Sequence, residues 1–193
     1  MSAIDVAAVI LAAGSSIRLG QPKQLLMTGS RTLVRAAVEE ARQVCSRVAI
    51  VVGKGIVAKA VSEAVSDLDV AIVTNDWHAQ GMASSVRAGV AWAASGPCRS
   101  VVLMACDQPH LNAGHIERLV EAWRSTNRVV GSAYDGVLGV PAVFPRAYFF
   151  ALLALRGDEG ARAILRGARP LGIDWAAGAF DVDTQEDLLR MTS

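Results

Sequence analysis

The chain is predicted to be an α/β protein built on a doubly wound, mostly parallel sheet, and three observations predict it. Short apolar runs alternate with stretches of helical spacing over most of the 193 residues. The first run, residues 6–13, is apolar throughout rather than alternating, as a strand buried on both faces of a parallel sheet must be. Polar or glycine-rich loops follow the carboxyl ends of these runs, which is where open α/β sheets bind their ligands.

Taken in order, residues 6–13, 48–52, 70–73 and 100–104 read as strands. Apolar residues three and four apart place helices over 32–44, 56–66, 84–94 and 113–125. The later part is less regular. Residues 128–134 and 140–144 read as strands around a turn-rich region at 131–139, and short helices are expected at 146–155, 159–165 and 184–191. No Pro/Gly/Ser linker, repeat or low-complexity block interrupts the chain, so residues 1–193 are expected to form a single domain.

Composition removes several classes of function. Nineteen basic and eighteen acidic residues leave a net charge of +1, and no basic run marks a nucleic-acid surface. The longest apolar runs, at 6–13 and 148–155, are too short to span a bilayer, so no membrane partner is expected. The first five residues lack the layout of a secretory signal. Cys45, Cys98 and Cys106 are odd in number and widely spaced, which fits buried, reduced thiols in a cytoplasmic protein.

The stretch from Leu11 to Lys23 carries the first chemistry. Ala12, Ala13 and Gly14 leave the backbone uncovered, so main-chain N–H groups can approach an anion, while Arg18 and Lys23 bring fixed positive charge. That pattern is a grip for a nucleoside triphosphate. Five residues separate Gly14 from Gly20 and Gln21 follows, so this is not a Walker A loop, and no G-x-G-x-x-G is present.

Further along, the run 101–106 ends in Asp107-Gln108-Pro109, which puts a carboxylate at the sheet's edge before a proline turns the chain. A hard cation such as Mg2+ takes carboxylate, phosphate and water oxygens, so one or two such residues suffice. Asp181 and Asp183 alternate at the end of an expected short strand and would share a face; Asp183 or Thr184 would equally serve to cap the last helix. Residues 74–87 supply amides, hydroxyls and a helix start, with Trp77 and His78 as packing or as walls of a site. Asp158 followed by Arg162 reads either as a clamp for an anion or as a cap with a surface arginine.

The pattern L-A-A-G-x-S-x-R-x-G-x-x-K of residues 11–23 resembles the MobA-like nucleotidyltransferases, and within them the molybdenum cofactor cytidylyltransferases. D-Q-P, G-D-E-G-A-R (157–162) and D-V-D-T (181–184) extend the resemblance over nearly the whole chain. It implies a Rossmann-like sheet of the nucleotide-diphospho-sugar transferase type and a nucleotidyl transfer with Mg2+ on Asp107 and Asp183. It also implies a triphosphate held by Leu11, Ala12, Ala13, Gly14, Arg18 and Lys23, with Gly81 and Ser85 of G-M-x-x-S at the nucleobase. Arg18, Lys23 and Asp107 take the catalytic roles, and Asp158 and Arg162 face the acceptor. Cytidylyl-specific relatives carry L-A-A-G where guanylyl-specific ones carry L-A-G-G, so CTP is implied as donor and molybdopterin or its molybdenum-loaded form as acceptor, with a molybdoenzyme as a further partner. Gly139-Val140-Pro141 stands where relatives commonly have Gly-His-Pro, a departure at the acceptor side. Another small phosphate acceptor, GTP as donor, or a non-catalytic cofactor chaperone are the alternatives.

Overall fold

The structure, a computed structural model, describes residues 6–14, 16 and 18–192. Residues 1–5, read above as lacking a signal, and Ser15 and Ile17 of the glycine loop lie outside the described residues. The chain runs through β1 (Val6–Leu11), the two-residue strands β2 (Met27–Thr28) and β3 (Arg31–Thr32), and α1 (Leu33–Val44). It continues with β4 (Arg47–Val52), α2 (Ile56–Glu63), β5 (Ala71–Thr74), α3 (Met82–Ala94) and β6 (Ser100–Ala105). The second half holds α4 (Ala113–Thr126), β7 (Val130–Tyr134), β8 (Val137–Pro145), α5 (Phe149–Leu153), α6 (Arg162–Gly167), β9 (Leu171–Asp174) and α7 (Gln185–Thr192).

Seven strands form the main sheet in the order β5-β4-β1-β6-β8-β7-β9. β1 pairs in parallel with β4 and β6, and β4 with β5, whereas β8 runs antiparallel to both β6 and β7. β9 then joins β7 in parallel, so β8 alone is reversed and the expected mostly parallel α/β sheet is present.

The continuous apolar character of β1 follows from its place near the middle of this sheet. Its side chains alternate in direction. Ala8 and Ile10 meet Val34, Val38 and Ala41 of α1 and Ile116 and Leu119 of α4 on one face. Ala7 and Val9 meet Val86 and Val90 of α3 and Leu152 of α5 on the other. Gly89 belongs to this second contact, because a Cβ there would lie 2.2 Å from Val9 Cγ1.

Caps set the helix starts. Thr32 Oγ1 accepts from Arg35 N at 3.3 Å and Asn112 Oδ1 accepts from His115 N at 3.0 Å, so α1 begins one residue later than the helical spacing suggested and α4 begins where expected. Several elements differ from the sequence expectation. β2 and β3 form a hairpin where no strand was expected, and β9 is a strand in a Gly-interrupted stretch. The expected strand before Asp181 is irregular chain, because Val182 N donates to Asp107 O rather than entering a ladder. β1 stops at Leu11, two residues before the end of its apolar run.

All three cysteines are buried and free, and burial pushes the Cys45 and Cys106 thiols up to about 12. Among the described residues no helix is long and apolar enough to cross a membrane.

A polar group is also buried where α4 packs on the second half of the sheet. His115 is 1 % exposed and stacks on Trp175 with ring centroids 4.5 Å apart. The Ser132 hydroxyl donates to Pro141 O at 2.6 Å, which leaves its oxygen to accept from His115 Nε2 at 2.7 Å. Arg118 Nη2 faces the other ring nitrogen at 3.0 Å, and an arginine only donates, so Nδ1 carries the lone pair. Burial, and then the Arg118 charge, lower the ring's pKa from 6.5 to about 4. The unfolded chain therefore binds more protons between those pH values, and this contribution to stability is full above pH 6.5 and drains as pH falls toward 4. Replacing His115 with Gln is expected to cost about 1–3 kcal/mol at pH 7.5. In thermal melts the gap between wild type and variant should narrow steadily on acidification, since only the wild type loses this contribution.

Candidate active site

The site is assembled at the carboxyl ends of β1 and β6. Beyond Leu11 the chain leaves the sheet: Ala12 N still donates to Val51 O at 2.9 Å, and the loop then turns back. Ser16 is its internal brace, accepting from Leu19 N and Gly20 N through its carbonyl and from Lys23 N through its hydroxyl at 3.1 Å. Pro22 then starts a single 3-10 turn, Lys23–Leu25, that aims two adjacent side chains in different directions. Gln24 goes inward, donating from Nε2 to Ala12 O at 2.9 Å and Gly14 O at 2.8 Å. Lys23 goes toward the sheet edge.

There its ammonium lies between two carboxylates, 2.5 Å from Asp107 Oδ2 and 2.8 Å from Asp183 Oδ1. Arg18 Nη2 pairs with the second oxygen of Asp183 at 2.7 Å. Lys23, Asp107 and Asp183 are mostly shielded from water, whereas the Arg18 side chain is 72 % exposed. Burial works against the Lys23 charge, but Asp107 and Asp183 outweigh it and hold its pKa above the usual lysine range. The hydrogen bond from Lys23 holds the Asp183 carboxyl below the usual carboxylate range, opposed by burial and helped by Arg18. Asp181 behaves oppositely: burial, then the charges of Asp107 and Asp183, push it up.

These groups line one side of a cleft of about 1190 Å3. Leu11, Ala13, Gly14, Arg18, Lys23, Gly81, Ser85, Asp107, Asp158, Arg162 and Asp183, all singled out from sequence, border it together. Ala12 does not. Its side chain is buried and both its N–H and its C=O are bonded within the protein, so it is a joint between strand and loop and offers no donor to the cleft. Ala12, Ala13 and Gly14 do border a smaller neighbouring cleft of about 490 Å3 with Gly53, Lys54 and His78. His78 borders both clefts, while Trp77 is 64 % exposed and borders neither.

The opposite wall depends on a contact between two loops. Ala83 N at the start of α3 donates to Gly157 O at 3.0 Å, and Asn75 Nδ2 ties Ser84 and Ser85 at 2.8 and 3.0 Å. Asp158 and Arg162 both face the cleft without pairing; Arg162 Nη2 donates instead to the Tyr134 hydroxyl at 3.2 Å. The Tyr134 hydroxyl and Gln108 Nε2 both donate to Val140 O, at 3.2 and 3.1 Å, so the Gly139-Val140-Pro141 segment is fixed through its backbone. Gln24, Gln108 and Tyr134 were not singled out from the sequence. A glutamine inside the apolar run Gln24-Leu25-Leu26, directly after Lys23, was the available signal for the first.

Residues 8–172 match the model of the MobA-like NTP transferase domain. The chain belongs to this family. A MobA-like chain is a nucleotidyltransferase, and a relative over nearly the full length agrees. The chain is 28 % identical over 192 residues to the molybdenum cofactor cytidylyltransferase of Escherichia coli (strain K12), covering 98 % of this chain and 95 % of that protein. Over 109 residues, 56 % of this chain and 52 % of that protein, it is 31 % identical to the purine catabolism protein PucB of Bacillus subtilis (strain 168). The crystal structure of Rv0371c from Mycobacterium tuberculosis H37Rv covers 100 % of both chains at 31 % identity with a TM-score of 0.83. A manganese complex of Rv0371C superposes with a TM-score of 0.75 at 29 % identity, covering 98 % of both chains.

In this MobA-like site Gly81 is a tight joint between two backbone segments. Its φ is +99°, and a Cβ would come within 2.4 Å of Gly157 O and 2.5 Å of Asp158 Oδ1. Substituting Gly81 by Ala is expected to cost at least about 1–2 kcal/mol from the backbone conformation alone. The additional clash should loosen the 157–158 loop, read as a lower denaturation midpoint and faster amide exchange at Ala83.

Proposed function

We propose that this nucleotidyltransferase transfers CMP from CTP to the terminal phosphate of molybdopterin or its molybdenum-loaded form and releases pyrophosphate. The carrying observation is the Lys23 ammonium held between Asp107 and Asp183 beside a loop of small residues. An acceptor phosphate oxygen attacks the α-phosphorus; the bond to the bridging α–β oxygen breaks, and its electron pair leaves with pyrophosphate. The nucleophile is already anionic, so the protein needs no Ser or Cys nucleophile, and catalysis is alignment and charge neutralisation.

The residues present fit a hard divalent cation. Asp181 is pushed up by burial and by its two acidic neighbours, a local excess of negative charge that a cation relieves. Mg2+ keeps waters and takes substrate phosphate oxygens, so one or two protein carboxylates suffice to hold it. Asp107 and Asp183 would hold it. When bound, Mg2+ neutralises charge on the phosphates during transfer.

Lys23 stays protonated at any working pH because its pKa is raised, so it supplies a constant positive charge to the triphosphate. Arg18, exposed and tethered at one end to Asp183, is free to turn onto the β- and γ-phosphates. Gly81 and Ser85 offer backbone and hydroxyl contacts to the nucleobase, and Asp158 and Arg162 face the acceptor. The donor base is read as cytosine because Ala13, of the L-A-A-G pattern, brings a Cβ to the edge of the cleft and a relative matched over 98 % of this chain is a cytidylyltransferase. Buried, free thiols fit a cytoplasmic setting, with a molybdoenzyme receiving the product.

Pyrophosphate release from CTP, GTP, ATP and UTP with Mg2+, with and without molybdopterin, tests this reading. Release that requires the acceptor and is fastest with CTP is expected. Lys23→Ala and Asp107→Ala should each lower it about a hundred- to a thousandfold. Release that is fastest with GTP overturns the base, and nucleotide or pterin binding without any release overturns the enzyme.

A further inference from the structure

Gln24 is a buried polar residue that the chemistry above does not use. It is 1 % exposed, and it is the buried residue of the 3-10 turn Lys23–Leu25. Both donors of its amide nitrogen are spent on the carbonyls of Ala12 and Gly14, and carbonyls only accept, so the amide orientation is fixed. Its Oε1 is buried and has no hydrogen-bond partner among the described residues. Met or Leu of similar volume would spare that acceptor but would strip the carbonyls of Ala12 and Gly14 of their donor, so this residue answers a need of the loop's backbone rather than of its own side chain.

We propose that Gln24 is a positioning residue for the nucleoside triphosphate. This rests on the reading of the loop as the triphosphate grip. A loop that grips an anion must turn its N–H groups toward the ligand and its carbonyls away, and carbonyls turned away need donors. Gln24 supplies them to the two carbonyls that flank Ala13. With Ala12 N committed to Val51 O, no hydrogen bond among the described residues takes the N–H of Ala13 or Gly14. Those two groups are left for the ligand.

The coupling to Lys23 is direct. Leu25 N and Leu26 N close the turn onto Pro22 O and Lys23 O at 3.1 Å each, so neighbouring residues on one rigid turn set both the loop's carbonyls and the ammonium between Asp107 and Asp183. One short element thus aligns the backbone donors and the cation on the same triphosphate.

Gln24→Met keeps length and volume but removes the donors; Gln24→Glu keeps the shape but replaces donors with a carboxyl. Calorimetry with CTP and Mg2+ should show about tenfold weaker binding for Gln24→Met, as expected for the loss of two modest hydrogen bonds. The KM for molybdopterin should change less than twofold. For Gln24→Glu, the ratio of wild-type to variant CTP affinity should grow with pH as the new carboxyl ionises against the two carbonyls. Wild-type binding with unchanged CTP affinity in Gln24→Met overturns the role of Gln24 alone. Equal losses toward CTP and molybdopterin, with a lowered Tm, mark general loosening and also overturn it. A wild type that binds none of CTP, GTP, ATP and UTP overturns the reading of the loop, and this proposal with it.

Discussion

The ammonium of Lys23 between the carboxylates of Asp107 and Asp183 is the interaction on which the rest of the site depends. It joins three segments far apart in sequence: the loop after β1, the end of β6 and the approach to α7. A lone buried carboxylate pair would be strained by like charge, and a lone buried ammonium would lose its proton more easily; together they offset each other's desolvation. An apolar cluster of Leu19, Leu26, Leu33 and Val182 holds the same three-way junction from beneath, and Val182 N donates to Asp107 O at 3.0 Å. Geometry at the sheet edge is therefore set by packing, which leaves the charges free to exchange protein partners for phosphate and metal.

The other half of the cleft is built differently. Its polar groups fix backbone rather than project charge. Ser132 holds Pro141 O, Gln108 and Tyr134 hold Val140 O, and His115 stands behind Ser132. Val140 has its carbonyl anchored on two donors, so the segment contributes shape and an apolar surface to the cleft. Arg162, bonded to the Tyr134 hydroxyl, and Asp158, beside Gly81, bring charge to that side together with Asp135, Glu159 and Arg166.

Much of this was legible in the sequence because burial on both faces leaves a plain mark. Residues 6–11, 48–52 and 101–105 of β1, β4 and β6 are apolar without interruption, and β1 and β6 stop where loops of the cleft begin. Arg18, Lys23, Asp107 and Asp183 could be named because they fall in motifs that resemble the MobA-like family, and the structure brings the four together at one cleft. β9 was not legible: only alternate residues are half-buried in Leu171-Gly172-Ile173-Asp174, and its pairing partner β7 lies forty residues away. The strand expected before Asp181 failed because two carboxylates spaced by one residue mimic strand alternation, whereas a single backbone bond to Asp107 decides the local path. Ala12 and Gln24 were opaque for one reason. Backbone commitments do not show in side-chain chemistry, so the residue that looked open is bonded and the residue that looked incidental makes the bonds.

The central claim is that the Lys23–Asp107–Asp183 junction receives the triphosphate and its metal. A crystal structure with CTP and Mn2+, located by anomalous scattering, addresses it most directly. The account predicts manganese bound by the Asp107 and Asp183 carboxylates and by phosphate oxygens, with Lys23 Nζ shifted onto the triphosphate. Manganese and phosphates found elsewhere in the cleft, with Lys23 still paired to both carboxylates, would contradict it.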